Sequence, residues 1–315
     1  MHPEQALRTD APSPPAAGIP GHGLTLDRAS ISGRMRAWRR FRRHRIALAS
    51  LGFILAMAVV AILAPWISPY SPTETSLARS LQAPSIDHWL GTDEVGRDIF
   101  SRILYGARIS LSVGLVSVGI TVAISVVLGT SSGYYGGIVD AVIMRATDVI
   151  MCIPGLVIIL AMVSILGPGI FNIMIAIGVL GWTGMTRLLR GQVLSVRERE
   201  YVLASRAIGA SNIRVMIVHV LPNCFAPVLV AATLGVAGAI LTEAALSFLG
   251  FGVVPPTPSW GGMLNSARTL TRLQENPWMW LSPGIMIMAS VLAINFIGDG
   301  LQDALDPKQT AKSTG

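Results

Sequence analysis

From Ile109 to Ser131 the chain carries no charged side chain, and its apolar residues follow one another without a two-residue alternation. About 20 mostly apolar residues suffice to cross a bilayer. Inside lipid every backbone N–H and C=O must find its partner in protein, so only helices and closed barrels span. Barrel strands alternate apolar and polar residues; this run does not, which makes it a membrane helix. Five further runs meet the same test: Ile46–Ile67, Val149–Leu166 (extending back toward Ile138), Ile170–Thr186, Asn223–Thr242 and Trp278–Gly298. Charged residues make up only 13% of the chain, against about 25% in ordinary soluble domains. The predicted fold is all-α and integral to the membrane, with six transmembrane helices.

The basic residues set the expected orientation. Arg34, Arg36, Arg39, Arg40, Arg42, Arg43 and Arg45 precede the first apolar run, and Arg187, Arg190, Arg197, Arg199, Arg206 and Arg214 lie between the fourth and fifth. The other face receives Arg79, Arg97, Arg102, Arg108, Arg268 and Arg272. Short loops rich in Arg and Lys stay in the cytoplasm, so both termini are predicted to be cytoplasmic. Beside an apolar helix the N-terminal arginine run reads as a topology anchor, and no nucleic-acid partner is expected. Residues 1–33, rich in Pro, Ala, Gly and Ser without apolar period, are expected to form a disordered tail. The first apolar run starts at Ile46 and exceeds a signal core in length, so no cleavable signal peptide is expected. The predicted organisation is a disordered cytoplasmic tail with an arginine-rich anchor over 1–45, the first helix with an external segment over 46–107, a five-helix membrane domain over 108–300 with a coupling loop over 195–222, and a cytoplasmic tail over 301–315.

The stretch 195–222 is too polar to span. Ser195 followed by Glu198 has capping-box spacing, predicting a helix from about Val196 to Gly209, with glycine as its C-cap. Ser211 or Asn212 would cap a second helix, Ile213–Val220, stopped by Pro222. Two short helices meeting at a glycine make a knob with small residues on which a partner could dock. An interfacial connector without a partner remains the alternative. A DNA-binding helix-turn-helix does not suit a segment whose two flanks enter lipid.

Few residues carry chemistry. A Walker phosphate loop needs a glycine-rich turn ending in Lys-Ser or Lys-Thr. Lys312-Ser313 lacks those glycines and Lys308 precedes Gln309, so ATP hydrolysis, if used, belongs to another chain. His2, His22, His44, His88 and His219 show no metal-ligand spacing; no metal or cofactor is expected, and no catalytic residues. Cys152 and Cys224 read as packing residues at the inner ends of helices. Glu243 lies in the fifth apolar run, and an acid there either caps a break near the outer interface before Gly250-Phe251-Gly252 or lines a pathway. Arg145 and Asp148 are neighbours on one helical face at the inner boundary. Trp260 and Trp278 are rings of the kind that settle at the membrane–water boundary. With Pro255, Pro256 and Pro258 they would hold the external segment Pro255–Asn276 above the pathway, making Trp260 an outer-gate candidate; a plain connector is the alternative.

Leu203-Ala204-Ser205, three residues, Gly209, nine residues, His219, one residue and Leu221-Pro222 resemble the EAA signature of ABC importer permeases. Leu203, Ser205 and His219 depart from its Glu, Ala and Ile, while the glycine and Leu-Pro keep their spacing. Leu90-Gly91-Thr92-Asp93-Glu94-Val95-Gly96-Arg97-Asp98, Gly133-Tyr134-Tyr135-Gly136-Gly137, Glu243-Ala244-Ala245-Leu246-Ser247-Phe248-Leu249-Gly250, Pro255-Pro256-Thr257-Pro258-Ser259-Trp260-Gly261 and Gly298-Asp299-Gly300-Leu301-Gln302-Asp303-Ala304-Leu305-Asp306-Pro307 are similar to the C-type permease of dipeptide, oligopeptide and nickel importers. The resemblance covers roughly residues 34–307. It implies a type I importer fold in a bacterial inner membrane and a heterodimer with a homologous B-type permease. It also implies one or two ATPase chains docked on Leu203, Ala204, Ser205, Gly209, Leu221 and Pro222, and an extracytoplasmic solute-binding protein. The implied cargo is peptide, with nickel or another small solute as the alternative. An ion-driven secondary transporter would show internal repeats and broken helices with midplane ligands, which the sequence does not suggest.

Overall fold

The computed structural model describes residues 38–305; the tail expected over 1–33 and the last residues of the C-terminal tail lie outside them. Among the described residues the apolar runs are helical except for a break at 152–154, and most helices extend beyond the runs. Residues 38–43, within the tail expected to be disordered, are already helical, and α1 follows over Arg45–Ile67. It is followed by a long irregular segment and then by α2, Ile99–Tyr135. Next come α3, Gly137–Met151, α4, Gly155–Leu166, α5, Ile170–Arg197, and the short α6, Glu200–Ala207. A continuous helical run, α7, extends over Asn212–Phe248. Two short helices, α8 (Trp260–Ser266) and α9 (Leu270–Glu275), precede α10, Trp278–Leu305. Helices α1, α2, α5, α7 and α10 are long and apolar enough to cross a membrane, and α3 with α4 makes a sixth if the bent pair is one span.

The core is built around α2, which packs on α5 along one side and on α7 along another; α7 in turn meets α10, and α10 meets α1. Small residues on α2 make this possible. Ser117, Thr121 and Ser125 recur every four residues and donate to the carbonyls of Met174, Gly178 and Trp182 on α5, at 3.1, 2.9 and 3.2 Å. One turn on, the backbone carrying Gly129 and Gly133 lies against Leu189 and Val193. Interhelical hydrogen bonds in membranes contribute about 0.6 kcal/mol each. The stripe therefore sets register as much as it adds stability.

Several boundaries differ from expectation, each for an identifiable reason. Helix α2 begins ten residues early because Asp98 caps it, accepting from Ser101 N at 2.7 Å. Its Arg102 is tolerated because it donates to Pro72 O at 3.1 Å and lies 3.7 Å from Asp93. The third span is not straight: α3 and α4 meet at 88° across Cys152-Ile153-Pro154, where proline cannot donate to the turn before it. Cys152 sits exposed at that corner, whereas Cys224 is buried in packing. No helix starts at Val196. Instead α5 runs through Ser195 to Arg197 with Glu198 as C-cap, so the Ser195–Glu198 pair forms no capping box. Arg197 reaches the Gly133 carbonyl at 2.8 Å, which anchors the extension. Pro222 does not end a helix either. The preceding turn, Val215–Val220, is a π-helix, and its wider pitch relieves the ring's clash with the carbonyl four residues back. Finally, α10 passes Gly298 to Leu305, through residues assigned to the tail.

Candidate functional site

At one end of the bundle, α6 and the first turns of α7 form the knob expected between 195 and 222. Tyr134, Leu189, Val193, Val202, Val215 and Val220 make a shared apolar cluster that seats it on α2 and α5. Tyr134 adds a hydrogen bond to Asn212 Oδ1 at 3.0 Å, and Arg206 lies over its ring, 4.5 Å from the centroid. Below the knob, Arg190 grips Asp140 with two bonds of 2.5 and 2.6 Å. Asp148 pairs with Arg187 rather than with its helical neighbour Arg145.

Seating by the valines turns the other residues outward. Leu203 is 50% exposed and Ile208 86% exposed, and Ala204, Gly209 and Pro222 are exposed beside them. Ser205 spends its hydroxyl on the Tyr201 carbonyl at 2.9 Å. Gly209 has φ +86 with open space around it; its role is the left-handed turn between α6 and α7. Leu221 lies one helical segment away, half-buried at the junction of the π-turn with the rest of α7. Motif spacing gave no sign of Val202, Val215 and Val220, whose only signal is β-branched apolar residues in an otherwise polar stretch.

Along the bundle, α2, α4, α5 and α7 enclose an open cleft of about 470 Å³. Ser117, Thr121, Gly181, Gly184, Gly238 and Thr242 contribute to its wall, and a Cβ added at Gly184 or Gly238 would have no neighbour within 4 Å. The wall is largely apolar, with hydroxyls as its polar groups.

Glu243 is not on that wall. It is fully buried within α7 and accepts hydrogen bonds from Ser110 of α2 at 3.1 Å and Ser247 at 2.7 Å. It caps no helix end, since α7 continues to Phe248; desolvation inside protein is tolerable because both oxygens are paired. Trp260 is likewise not an interfacial ring. It is 0% exposed, opens α8, and donates through Nε1 to the Ile103 carbonyl at 3.2 Å. The segment Pro255–Asn276 thus holds two short helices: α8 packs on α2, α7 and α10, while α9 touches α10 and stays largely exposed. The string Leu90–Asp98 joins it there. Asp93 accepts from Val95 N, Arg97 N and Arg97 Nε at 3.0, 2.9 and 2.7 Å, His88 bonds Asp98 at 2.9 Å, and Glu94 pairs with Arg272. Among the described residues no group of three or more His, Cys, Asp or Glu could hold a metal ion.

A bundle of this order, with a bent pair between two long helices and a seated knob before the next, is a polytopic permease fold. It is similar to chains of the MetNI methionine ABC transporter in two inward-facing crystal forms, each with a TM-score of 0.54 and 17% identity. These cover 65% and 66% of this chain and 96% and 98% of the solved ones. Residues 125–311 match the family described as binding-protein-dependent transport system inner membrane component, and residues 34–84 match the N-terminal TM domain of oligopeptide transport permease C. The chain belongs to this family of binding-protein-dependent permeases. Its relatives include the dipeptide transport system permease protein DppC of Bacillus subtilis, 43% identical over 90% of this chain and 88% of that protein. Another is the di/tripeptide transport system permease protein DppC of Pseudomonas aeruginosa, 45% identical over 86% of this chain and 91% of that one.

Proposed function

We propose that the chain is one membrane-spanning half of an ATP-driven peptide importer. The observation that carries this reading is a one-sided cleft, walled by α2, α4, α5 and α7, in a chain similar along nine-tenths of its length to a dipeptide permease. A half-cleft needs a second membrane subunit to become a pathway, and a homologous permease supplies it by quasi-symmetry. Apolar walls dotted with hydroxyls suit a cargo whose own peptide groups can be passed along without tight binding. In this reading the arginine-rich loops face the cytoplasm, and the knob with Leu203, Ala204, Ser205, Gly209, Leu221 and Pro222 receives one of two ATPase domains, on a single chain or two. The opposite end, with α8 and α9, then faces a solute-binding protein.

Reconstitution tests the proposal. The permease pair, the ATPases and the binding protein are placed in vesicles, and entry of a radiolabelled dipeptide is followed with and without ATP. ATP-dependent uptake that needs every component is expected. Uptake driven by an ion gradient with the ATPases removed would replace the reading with a secondary transporter. Recovery of metal complexes rather than peptides from the binding protein would move the cargo to nickel or another small solute.

A further inference from the structure

Two chains of donors end on the two oxygens of one buried carboxyl. In the first, Trp260 N donates to Ser110 Oγ at 3.4 Å, and Ser110 Oγ donates to Glu243 Oε2 at 3.1 Å. In the second, Gly262 N donates to Ser259 Oγ at 3.1 Å, Ser259 Oγ to Ser247 Oγ at 3.5 Å, and Ser247 Oγ to Glu243 Oε1 at 2.7 Å. Both chains start in the first turn of α8; one passes through Ser110 of α2 and the other through Ser247 of α7, and each donates toward Glu243. Only a side chain with two acceptor oxygens can terminate both, and a carboxyl group offers them on one residue.

The same junction is sterically closed. A Cβ on Gly261 would stand 2.6 Å from Ala244 Cα, and one on Gly106 would stand 3.1 Å from the Trp260 ring. Helix α8 therefore lies directly on the backbone of α7, with its indole across α2. Yet α8 has only seven residues, too few to be stable alone, so its orientation is set by what it touches. Buried polar networks fix a single arrangement when fully satisfied and are costly when partly satisfied.

We propose that Glu243 is a positioning residue: as the common acceptor for both chains it clamps α8 to α2 and α7, so that a load on the outer face enters the membrane helices through one rigid joint. The transport role of that joint rests on the importer reading above; the clamp itself does not.

The test measures the joint without cargo. Met263, on α8, is buried against Ile99, Ile103 and Met279. In the assembled complex, with Cys152 replaced by alanine, a Met263→Cys reporter is labelled with a membrane-impermeant maleimide. Glu243→Leu is expected to raise the labelling rate at least tenfold. Glu243→Gln, which keeps one acceptor oxygen at similar volume, should fall between Leu and the parent. If Glu243→Leu does not assemble, Ser110→Ala with Ser247→Ala cuts both chains by removing two hydroxyl oxygens, and must give the same rise. Unchanged protection of the reporter in an assembled Glu243→Leu complex, or in the double serine variant, overturns the clamp whether or not uptake changes. Failure of ATP-dependent uptake with the parent chain would instead count against the importer reading and leave the labelling result standing.

Discussion

Removing two exposed side chains from the knob isolates its role from its fold. Burying a Leu or Ile side chain completely is worth about 1.5–3 kcal/mol. Ile208 at 86% exposure therefore has about 1.3–2.6 kcal/mol still to gain from a partner. Leu203, half exposed, has about 0.8–1.5 kcal/mol. Replacing both by alanine forfeits at most that sum, about 2–4 kcal/mol, which corresponds to a ceiling of roughly 30- to 700-fold in affinity. Neither residue belongs to the cluster that seats the knob, so the permease itself should fold and insert as before. Val202→Ala is the counterpart: its site is fully buried, and losing two methyl groups there should cost about 1–2 kcal/mol of stability with a smaller effect on docking. The assay is titration of fluorescent ATPase onto nanodisc-held permease, with thermal unfolding in parallel. An affinity within twofold of the parent for the Ile208→Ala, Leu203→Ala variant would refute the docking surface, since an apolar patch of that size cannot enter a dry interface without consequence.

Other outcomes follow from the same geometry. An assembly carrying Gly209→Leu should hydrolyse ATP on its ATPase chains without matching uptake, because a side chain at φ +86 costs about 1–2 kcal/mol in the left-handed region and the turn must reshape; normal uptake at normal expression would sink this. Gly178→Ala would place its Cβ 2.7 Å from Ile120 Cβ and 2.8 Å from the Ser117 carbonyl, so it should cost about 1–3 kcal/mol in thermal stability. Gly184→Phe, which enters open cleft, should leave stability unchanged and cut uptake at least tenfold, and equal uptake would place the pathway elsewhere. Cysteine at exposed Thr269 or Leu270 should cross-link to a docked binding protein during turnover. Absence of any adduct in a transporting assembly would leave α8 and α9 as a connector only.

Helix existence was legible because continuous apolar runs have few ways to satisfy their backbone in lipid, and α2 shows the limit of that signal. Its first ten residues include Arg102 and Arg108, which hydropathy assigns to a loop, yet Asp98, Asp93 and the Pro72 carbonyl supply caps and partners that only the folded chain brings together. Proline misled in both directions. Pro154 forms a corner within an apolar run, while Pro222 passes through α7 because the turn before it is π, and period alone cannot tell these apart. Motif spacing picks out residues on the exposed half of the knob and is blind to its buried half, because Val202 and Val215 answer to packing against α2 and α5. Glu243 was singled out correctly as unusual, but sequence offered it an interface or a pathway, and the third option required knowing that Ser110, 133 residues away, stands beside it.

The 37-residue run of α7 spans roughly 55 Å at 1.5 Å per residue, from the knob at Asn212 to the joint beneath α8. It is tied to α2 near both ends, by Tyr134 to Asn212 Oδ1 at 3.0 Å and by Ser110 to Glu243 at 3.1 Å, so the two helices move as one pair about their shared middle. Pivoting about it by roughly 10° would carry each tip about 5 Å, in opposite directions. If the knob receives an ATPase as proposed, a sideways displacement there arrives at Ser247 reversed in sign, and the stroke that shuts one mouth of the cleft opens the other.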